Sequence, residues 1–108
     1  MKMYILIKTG TPVEIAILAA AHCSLATYLK YQDKEETKAW IAGTFYKVIC
    51  EVSEKEFETA KSFEGSVIIT ESKLQNAEIA IGFHPREIWP KPFKFYKLYK
   101  RDLLNVSP

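Results

Sequence analysis

The sequence predicts a single-domain α/β protein whose β-sheet combines parallel and antiparallel strands. Short apolar or β-branched segments alternate along the chain with segments of helical period, a pattern typical of a sheet with parallel strands. The link between the last two apolar segments is short, which favours an antiparallel pair there. The 108 residues suffice for one core and leave little room for a second. Together these observations predict one domain built on a mixed sheet.

The first strand and the helix that follows it organise the rest of the prediction. Met3–Lys8 is an apolar run that predicts a strand, and the turn at Gly10 ends it. A helix is predicted from Pro12 to about Lys30, with Thr11 as its N-cap. Its apolar residues recur at i, i+3, i+4 and i+7, so we expect one face to pack on the sheet. The face expected from this spacing contains Ile15, Leu18, Ala19, His22, Ala26 and Leu29.

The remaining predicted elements complete the sheet and cover it. Ser53 and Glu56 have the spacing of a capping box, which predicts the start of a helix that ends at Gly65. The other elements after the first helix are a helix at Lys34–Ala42 and strands at Tyr46–Val52, Val67–Ile69 and Glu78–Phe83. The predicted order is therefore β-α-α-β-α-β-β, with four strands.

Composition and charge limit the functions that the chain can have. The net charge of +2 is too small to indicate a nucleic-acid partner by itself. Cys23 and Cys50 lack metal-ligand spacing and are expected to be small buried residues in a reducing compartment. The first residues lack the apolar stretch of a signal peptide, and no apolar run approaches the length of a membrane span. We therefore expect a cytoplasmic protein with no membrane partner, no cofactor and no metal.

The C-terminal segment, His84–Arg101, differs from the rest of the chain because basic and aromatic residues alternate in it. Cations that bind phosphate and rings that stack on bases are what a surface for single-stranded RNA needs. Alternatively, the rings pack on the sheet and the basic side chains are solvated; both can hold at once. The basic residues are Arg86, Lys91, Lys94, Lys97, Lys100 and Arg101, and the aromatic ones are Trp89, Phe93, Phe95, Tyr96 and Tyr99.

Several short motifs follow one another along most of the chain. Lys8 ends the first strand, and Leu18-Ala19-Ala20 follows in the first helix. Later motifs are Trp40, Gly43 and Lys47-Val48, then Ile81-Gly82-Phe83, and finally Tyr96-Lys97-Leu98-Tyr99. In this order the chain resembles the type-2 peptidyl-tRNA hydrolases, small α/β proteins that cleave the ester between peptide and tRNA. The resemblance implies a four-stranded mixed sheet with helices packed on both faces.

The functional lysine of that family has no counterpart in the first helix. Without a gap it falls on Ile17, and with a one-residue gap it falls on Leu18. Neither aliphatic side chain can bind phosphate or polarise an ester. The family's acidic residue after the third strand matches Glu71, and the loop that follows is shortened to Ser72–Asn76. The resemblance therefore implies either a hydrolase of aminoacyl- or peptidyl-tRNA with an altered site or a descendant of one.

His22 and Glu71 are the candidate catalytic residues. A histidine oriented by a carboxylate is a suitable general base for water that attacks an ester. The alternative is that His22 is a core or rim residue and Glu71 is a solvated loop acid.

The candidate substrate-binding residues are cations and the turn before the first helix. Lys8 and Lys73 are expected to face phosphate or the developing oxyanion. The turn precedes a helix N-terminus, whose free N–H groups bind anions in some proteins, although a plain strand-to-helix turn explains it equally. The full set of candidates is Lys8, Thr9, Gly10, Lys73, Lys91, Lys94 and Lys97.

Three functions are compatible with the sequence. The first is hydrolysis of the aminoacyl- or peptidyl-tRNA ester, with tRNA as the partner. The second is a catalytically inactive module that binds RNA or a protein through the C-terminal segment. The third is a role in protein association, including a homodimer, without affinity for RNA.

Overall fold

A computed structural model of the chain describes residues 1–99. The predicted helices and strands are all present, although the third helix ends before Gly65, and one further strand follows the last predicted one. The elements are β1 (Lys2–Lys8), α1 (Val13–Tyr31), α2 (Glu35–Ala42), β2 (Lys47–Val52), α3 (Glu54–Ala60), β3 (Ser66–Glu71), β4 (Ala77–Arg86) and β5 (Lys97–Leu98), with 3₁₀ turns at Ser72–Leu74 and Lys91–Lys94.

The sheet is mixed and has the strand order β3-β4-β1-β2-β5. β1 and β2 are parallel, and the other three pairs are antiparallel, including the predicted pair β3–β4. The expected count of four strands is wrong, because β5 adds a fifth at the edge beside β2. Two residues are too short to show a strand pattern in a sequence. β5 is defined by its antiparallel pairing with Cys50 and Glu51 of β2.

Helices cover both faces of the sheet, so the central strand is buried on both sides. Tyr4 and Leu6 point into one core with Phe57 of α3. Met3, Ile5 and Ile7 point into the other core, which α1 and α2 cover. Burial on both faces explains why β1 is a continuous apolar run rather than an alternating one.

The face of α1 that packs on the sheet differs from the expected one. The buried residues are Ala16, Ala19, Cys23 and Thr27, whereas His22, Leu18 and Leu29 are exposed. Close approach to the sheet decides the face: a Cβ built on Gly82 would lie 2.6 Å from Cys23 Sγ, so only glycine leaves room for the helix. The helix is apolar around its whole circumference, and the large aliphatic residues therefore do not identify its inner face. The expectation that no segment approaches a membrane span is wrong for α1, which is long and apolar enough to cross a membrane by length and composition alone, a property that core helices of other proteins share.

Of the two helix N-caps predicted from the sequence, one is confirmed and the other is wrong. Ser53 and Glu56 form the predicted capping box, with both reciprocal hydrogen bonds present. Thr11 does not cap α1: its Oγ1 donates to the carbonyl of Lys8 at 2.8 Å, and Pro12 occupies the N-cap position. The hydroxyl of Thr11 therefore forms a hydrogen bond within the turn after β1 and does not accept a free backbone N–H at the start of α1.

Candidate functional site

The candidate site residues near the strand ends lie along the edge of the sheet that is formed by the carboxyl ends of β1 and β3, not along an edge strand. β1 and β3 both pair with β4, and Ile7 and Ile69 are both opposite Ala80. Because these two strands run in the same direction, their carboxyl ends meet the same edge. This places Lys8, Thr9 and Gly10 on the same edge as Glu71 and Lys73.

Lys8 is not a solvated lysine at the end of its strand. Its Nζ lies 3.2 Å from Oε1 of Glu54 and 4.7 Å above the ring centroid of Phe57. Only 19% of its side chain is exposed. The charge of Lys8 is therefore compensated by a carboxylate and partly shielded from solvent, which weakens its attraction for a phosphate.

The polar groups of the turn after β1 are engaged within the turn and with β2. Thr9 Oγ1 donates to Oε2 of Glu51 at 3.3 Å. Gly10 has a φ of +85°, a conformation that favours glycine, and its position is open to solvent. These contacts are those of a strand-to-helix turn, and an anion placed here would meet the carboxylate of Glu51.

Glu71 orients the turn that follows β3. Its Oε1 accepts the backbone N–H of Lys73 at 3.1 Å, so the carboxylate caps the 3₁₀ turn that begins at Ser72. The side chain of Lys73 is exposed. Both residues remain accessible at the edge, with Glu71 half-buried.

His22 lies away from this edge. It is nine residues into α1, roughly 14 Å along the helix axis from Val13 at the standard rise per residue. Its side chain is exposed, and within residues 1–99 no hydrogen bond joins it to Glu71. The structure thus brings Lys8, Glu71 and Lys73 to one edge and leaves His22 on the outer side of the helix. In the same described range, no group of three His, Cys, Asp or Glu is placed to hold a metal ion.

The inner side of the C-terminal segment completes the core on the α3 face of the sheet. Phe93 is buried, with its ring centroid 5.0 to 5.1 Å from those of Phe83, Tyr4 and Tyr96. Trp89 packs 4.8 Å from Phe93. The interpretation that these rings pack on the sheet is therefore confirmed for Trp89, Phe93 and Tyr96.

His84 and Arg86 have structural contacts that the sequence did not indicate. The ring of His84 is buried 4.9 Å from that of Tyr31, and desolvation lowers its pKa below the usual value. Arg86 donates to the carbonyl of Glu64 at 2.9 Å and lies 4.7 Å from the ring of Trp89. Both residues hold the loop at Gly65: the N–H of His84 donates to the carbonyl of Gly65 at 3.1 Å, and both side chains occupy the space that a Cβ at Gly65 would need.

The outer side of the same segment carries accessible cations and one accessible ring. Lys91 and Lys94 belong to the 3₁₀ turn and are exposed, and 72% of Phe95 is exposed. Lys97 is exposed on β5 opposite Glu51. Lys100 and Arg101 lie outside the described residues. We call Lys91, Lys94 and Phe95 the basic–aromatic surface.

Two grooves border this surface. One, of about 320 Å³, is lined by Lys55, Glu56, Thr59, Pro92, Phe95 and Tyr96. The other, of about 470 Å³, is lined by Lys2, Tyr4, Val48, Cys50, Phe93, Lys94, Tyr96 and Leu98. Lys2 therefore extends the positive charge on one side of the turn, whereas on the other side Lys55 is accompanied by the carboxylate of Glu56.

An apolar cleft between α1 and α2 was not predicted. It has a volume of about 470 Å³ and lies on the opposite face of the sheet. The signal that points to it is the second, outward apolar side of α1, which includes Ile17 and Leu25. The sequence does not show that α2 stands far enough from this side to leave a cleft.

Comparison with known proteins gives no further assignment. No family model matches the chain, and no curated protein shows significant similarity to it.

Proposed function

We propose that this protein binds single-stranded RNA through the basic–aromatic surface, without hydrolysing an ester. The observation that carries the proposal is the position of Phe95, a ring that is 72% exposed and that directly follows, in the chain, the turn carrying Lys91 and Lys94. An exposed aromatic ring next to cations matches the two requirements of single-strand binding, which are base stacking and phosphate contact. The resemblance to peptidyl-tRNA hydrolases suggests tRNA as the source of that RNA.

Rigidity of the surface supports the proposal. Phe93, in the same turn, is anchored among Tyr4, Phe83 and Tyr96. The backbone that carries Phe95 is tied as well, since its N–H donates to the carbonyl of Pro92 at 3.0 Å. A ring held on a fixed backbone loses little conformational freedom when a base stacks on it.

The geometry favours binding over hydrolysis. Ester hydrolysis requires a base and an electrophilic group within reach of one reacting carbonyl. Here Glu54 compensates the charge of Lys8, the carboxylate of Glu71 caps a turn, and His22 lies elsewhere. Hydrolysis remains the second candidate function, and the shared edge of Lys8 and Glu71 is the observation that favours it.

Fluorescence anisotropy with a labelled single-stranded oligoribonucleotide of the tRNA acceptor end tests the proposal. We expect Phe95→Ala to weaken binding by about 5- to 150-fold, because one stacked base contributes on the order of 1–3 kcal/mol. Each of Lys91→Met and Lys94→Met should reduce the slope of log K against log salt by about 0.7, the value for one phosphate contact with a single strand. Lys38→Met, an exposed lysine of α2, is the matched control and should leave both quantities unchanged.

Absence of salt-dependent binding by the wild type, or an equal effect of Lys38→Met, would show that this surface does not bind RNA. Release of free tRNA from peptidyl-tRNA is measured on the same preparations. Turnover that is lost in Glu71→Gln and retained in Phe95→Ala would establish hydrolysis instead.

A further inference from the structure

The cleft between α1 and α2 is a separate candidate site, on the face of the sheet opposite the basic–aromatic surface. Its floor is formed by strand residues such as Ile5 and Ile49, and its walls by the two helices and the loop before β2. Its volume of about 470 Å³ falls in the range typical of small-molecule sites. The lining residues are Ile5, Ala20, Ala21, Ser24, Leu25, Tyr28, Trp40, Ile41, Phe45, Lys47 and Ile49.

The rim of the cleft exposes aliphatic and aromatic side chains to solvent. Leu25 is 59% exposed, and Ile41 and Phe45 on the opposite wall are also exposed. Contiguous apolar side chains around a concave surface mark a site that is covered by a ligand or a partner. The cleft therefore offers an apolar environment to an occupant with a hydrocarbon part.

Lys47 gives the cleft one fixed charge. Its Nζ lies 4.9 Å from the ring centroid of Phe45 and 5.4 Å from that of Trp40, so the ammonium group is held at the aromatic wall. Among the lining residues, all of which belong to the described part of the chain, Lys47 alone is charged. The ion pairs found within residues 1–99 do not include it. An occupant without negative charge would remove water from this ammonium group without replacing its interactions, which is unfavourable.

The loop at the mouth of the cleft is held in a strained conformation. Phe45 has a φ of +37°, a region that bulky residues rarely adopt. The indole Nε1 of Trp40 donates to the carbonyl of Tyr46 at 2.8 Å, and the rings of Trp40 and Phe45 meet edge to face at 6.0 Å. Such strain persists where surrounding contacts fix it, and it clusters at active sites, ligand clamps and switch regions. Here it places the ring of Phe45 beside Lys47 at the rim.

From these observations we infer that the cleft binds an amphipathic monoanion, namely the carboxylate form of an unbranched fatty acid of medium chain length. The hydrocarbon chain lies between Leu25 and Ile41, and the carboxylate pairs with Lys47. The site is independent of the proposed RNA surface, since none of the residues of that surface lines the cleft.

Isothermal titration with decanoate, below its micellar concentration, and with the uncharged decanol tests this inference. We expect saturable binding of decanoate and weaker binding of decanol. Lys47→Met should weaken decanoate binding by about tenfold or more, the effect of losing a hydrogen bond between charged groups. It should not weaken decanol binding, because the variant has no ammonium group to desolvate.

Two leucines of α1 provide a matched pair of variants. Leu25 lines the cleft, whereas Leu29 is 53% exposed on the same helix and does not line it. Leu25→Asp should abolish decanoate binding, and Leu29→Asp should retain it. Because both side chains are exposed, both variants are expected to fold. In NMR spectra decanoate should shift the indole N–H resonance of Trp40 and leave that of Trp89, on the other face, in place.

The inference is overturned if the wild type shows no saturable binding of decanoate, or if Lys47→Met changes nothing. It is also overturned if Leu25→Asp and Leu29→Asp both dissociate a dimer seen by sedimentation velocity, since a second copy would then cover this face. Flotation with phosphatidylcholine vesicles that is lost equally in both leucine variants would identify a membrane surface instead.

Discussion

At the scale of single residues, the two cysteines show how burial changes side-chain chemistry. Cys23 lies on the buried face of α1, in the core between this helix and the sheet, and Cys50 lies in the core on the α3 face. Burial raises the pKa of the Cys23 thiol to about 12 and that of Cys50 to about 11. Burial also raises the pKa of the Tyr96 hydroxyl to about 12. In the folded protein all three groups therefore stay protonated at a pH where the unfolded chain has begun to release its protons.

This linkage predicts loss of stability in alkaline solution. The ordinary thiol pKa is about 8.5, so the unfolded state binds fewer protons than the folded state above that pH, and rising pH favours unfolding. The contribution of the two thiols is fully present below about pH 8.5 and is lost as the pH rises toward their folded-state pKa values of about 11 and about 12. Each thiol should steepen the fall in the free energy of unfolding by about 1.4 kcal/mol per pH unit in this window.

Urea unfolding between pH 7 and pH 10.5 measures the effect, with Cys50→Ala as the comparison. The variant is expected to start from a lower stability and to fall less steeply above pH 8.5. Parallel pH profiles for the two proteins would show that Cys50 does not contribute to the linkage.

At the scale of elements, α1 shows that small residues can decide how a helix packs. Its buried face consists of Ala16, Ala19, Cys23 and Thr27. These side chains pack against a sheet in which Gly82 removes a side chain directly opposite Cys23 and Thr27. The larger aliphatic residues consequently point sideways toward the cleft or outward to solvent.

The packing of α1 predicts opposite outcomes for two identical substitutions in one helix. Ala19 is 2% exposed, so Ala19→Leu should lower the free energy of unfolding by about 1–3 kcal/mol through overpacking. Ala21→Leu places the same side chain on the exposed side and should change stability by less than about 0.5 kcal/mol. Thermal and urea unfolding measure the stability of both variants. Equal losses in the free energy of unfolding, or a larger loss for Ala21→Leu, would contradict the helix orientation.

At the scale of the whole molecule, the aromatic cluster on the α3 face ties the C-terminal segment to the sheet. Phe93 contacts rings that come from β1, from β4 and from the segment itself. The two-residue strand β5 then closes the sheet beside β2, and the N–H of Tyr99 donates to the carbonyl of Ile49 at 2.9 Å. One side of the segment is thereby part of the core, and the other remains available for binding.

Because one side of the segment is buried and the other is exposed, we expect Phe93 and Phe95 to have different roles. Phe93→Ala should destabilise the fold by about 3–5 kcal/mol, because it removes the centre of a buried cluster. Phe95→Ala should leave stability within about 0.5 kcal/mol of wild type, since its ring is exposed. Urea unfolding followed by tryptophan fluorescence distinguishes the two, and a large loss of stability in Phe95→Ala would mean that its ring also supports the fold.

Much of the fold follows from local signals in the chain. The capping box at Ser53, the apolar run of β1 and the β-branched segments predict the elements in their order. These features act over a few residues, so the sequence displays them directly. The short link after β3 likewise predicts its antiparallel pairing with β4.

The functional sites depend on contacts between residues that are far apart in the sequence. The pairing of Lys8 with Glu54 and the burial of His84 arise only when the sheet and helices meet. The same holds for the cleft beside Lys47, which requires the spacing between α1 and α2.

By itself, the sequence determined the order of helices and strands, the mixed sheet and the alternation of cations and rings near its end. Each of these features depends on the composition and periodicity of a few neighbouring residues. The tertiary structure alone decided which face of α1 is buried, that a fifth strand forms, and which ring of the C-terminal segment faces solvent. The physical reason is steric: a helix apolar on all sides takes the orientation in which Cys23 and Thr27 fill the space that Gly82 leaves. Once Phe93 fills the core, Phe95 is left outside.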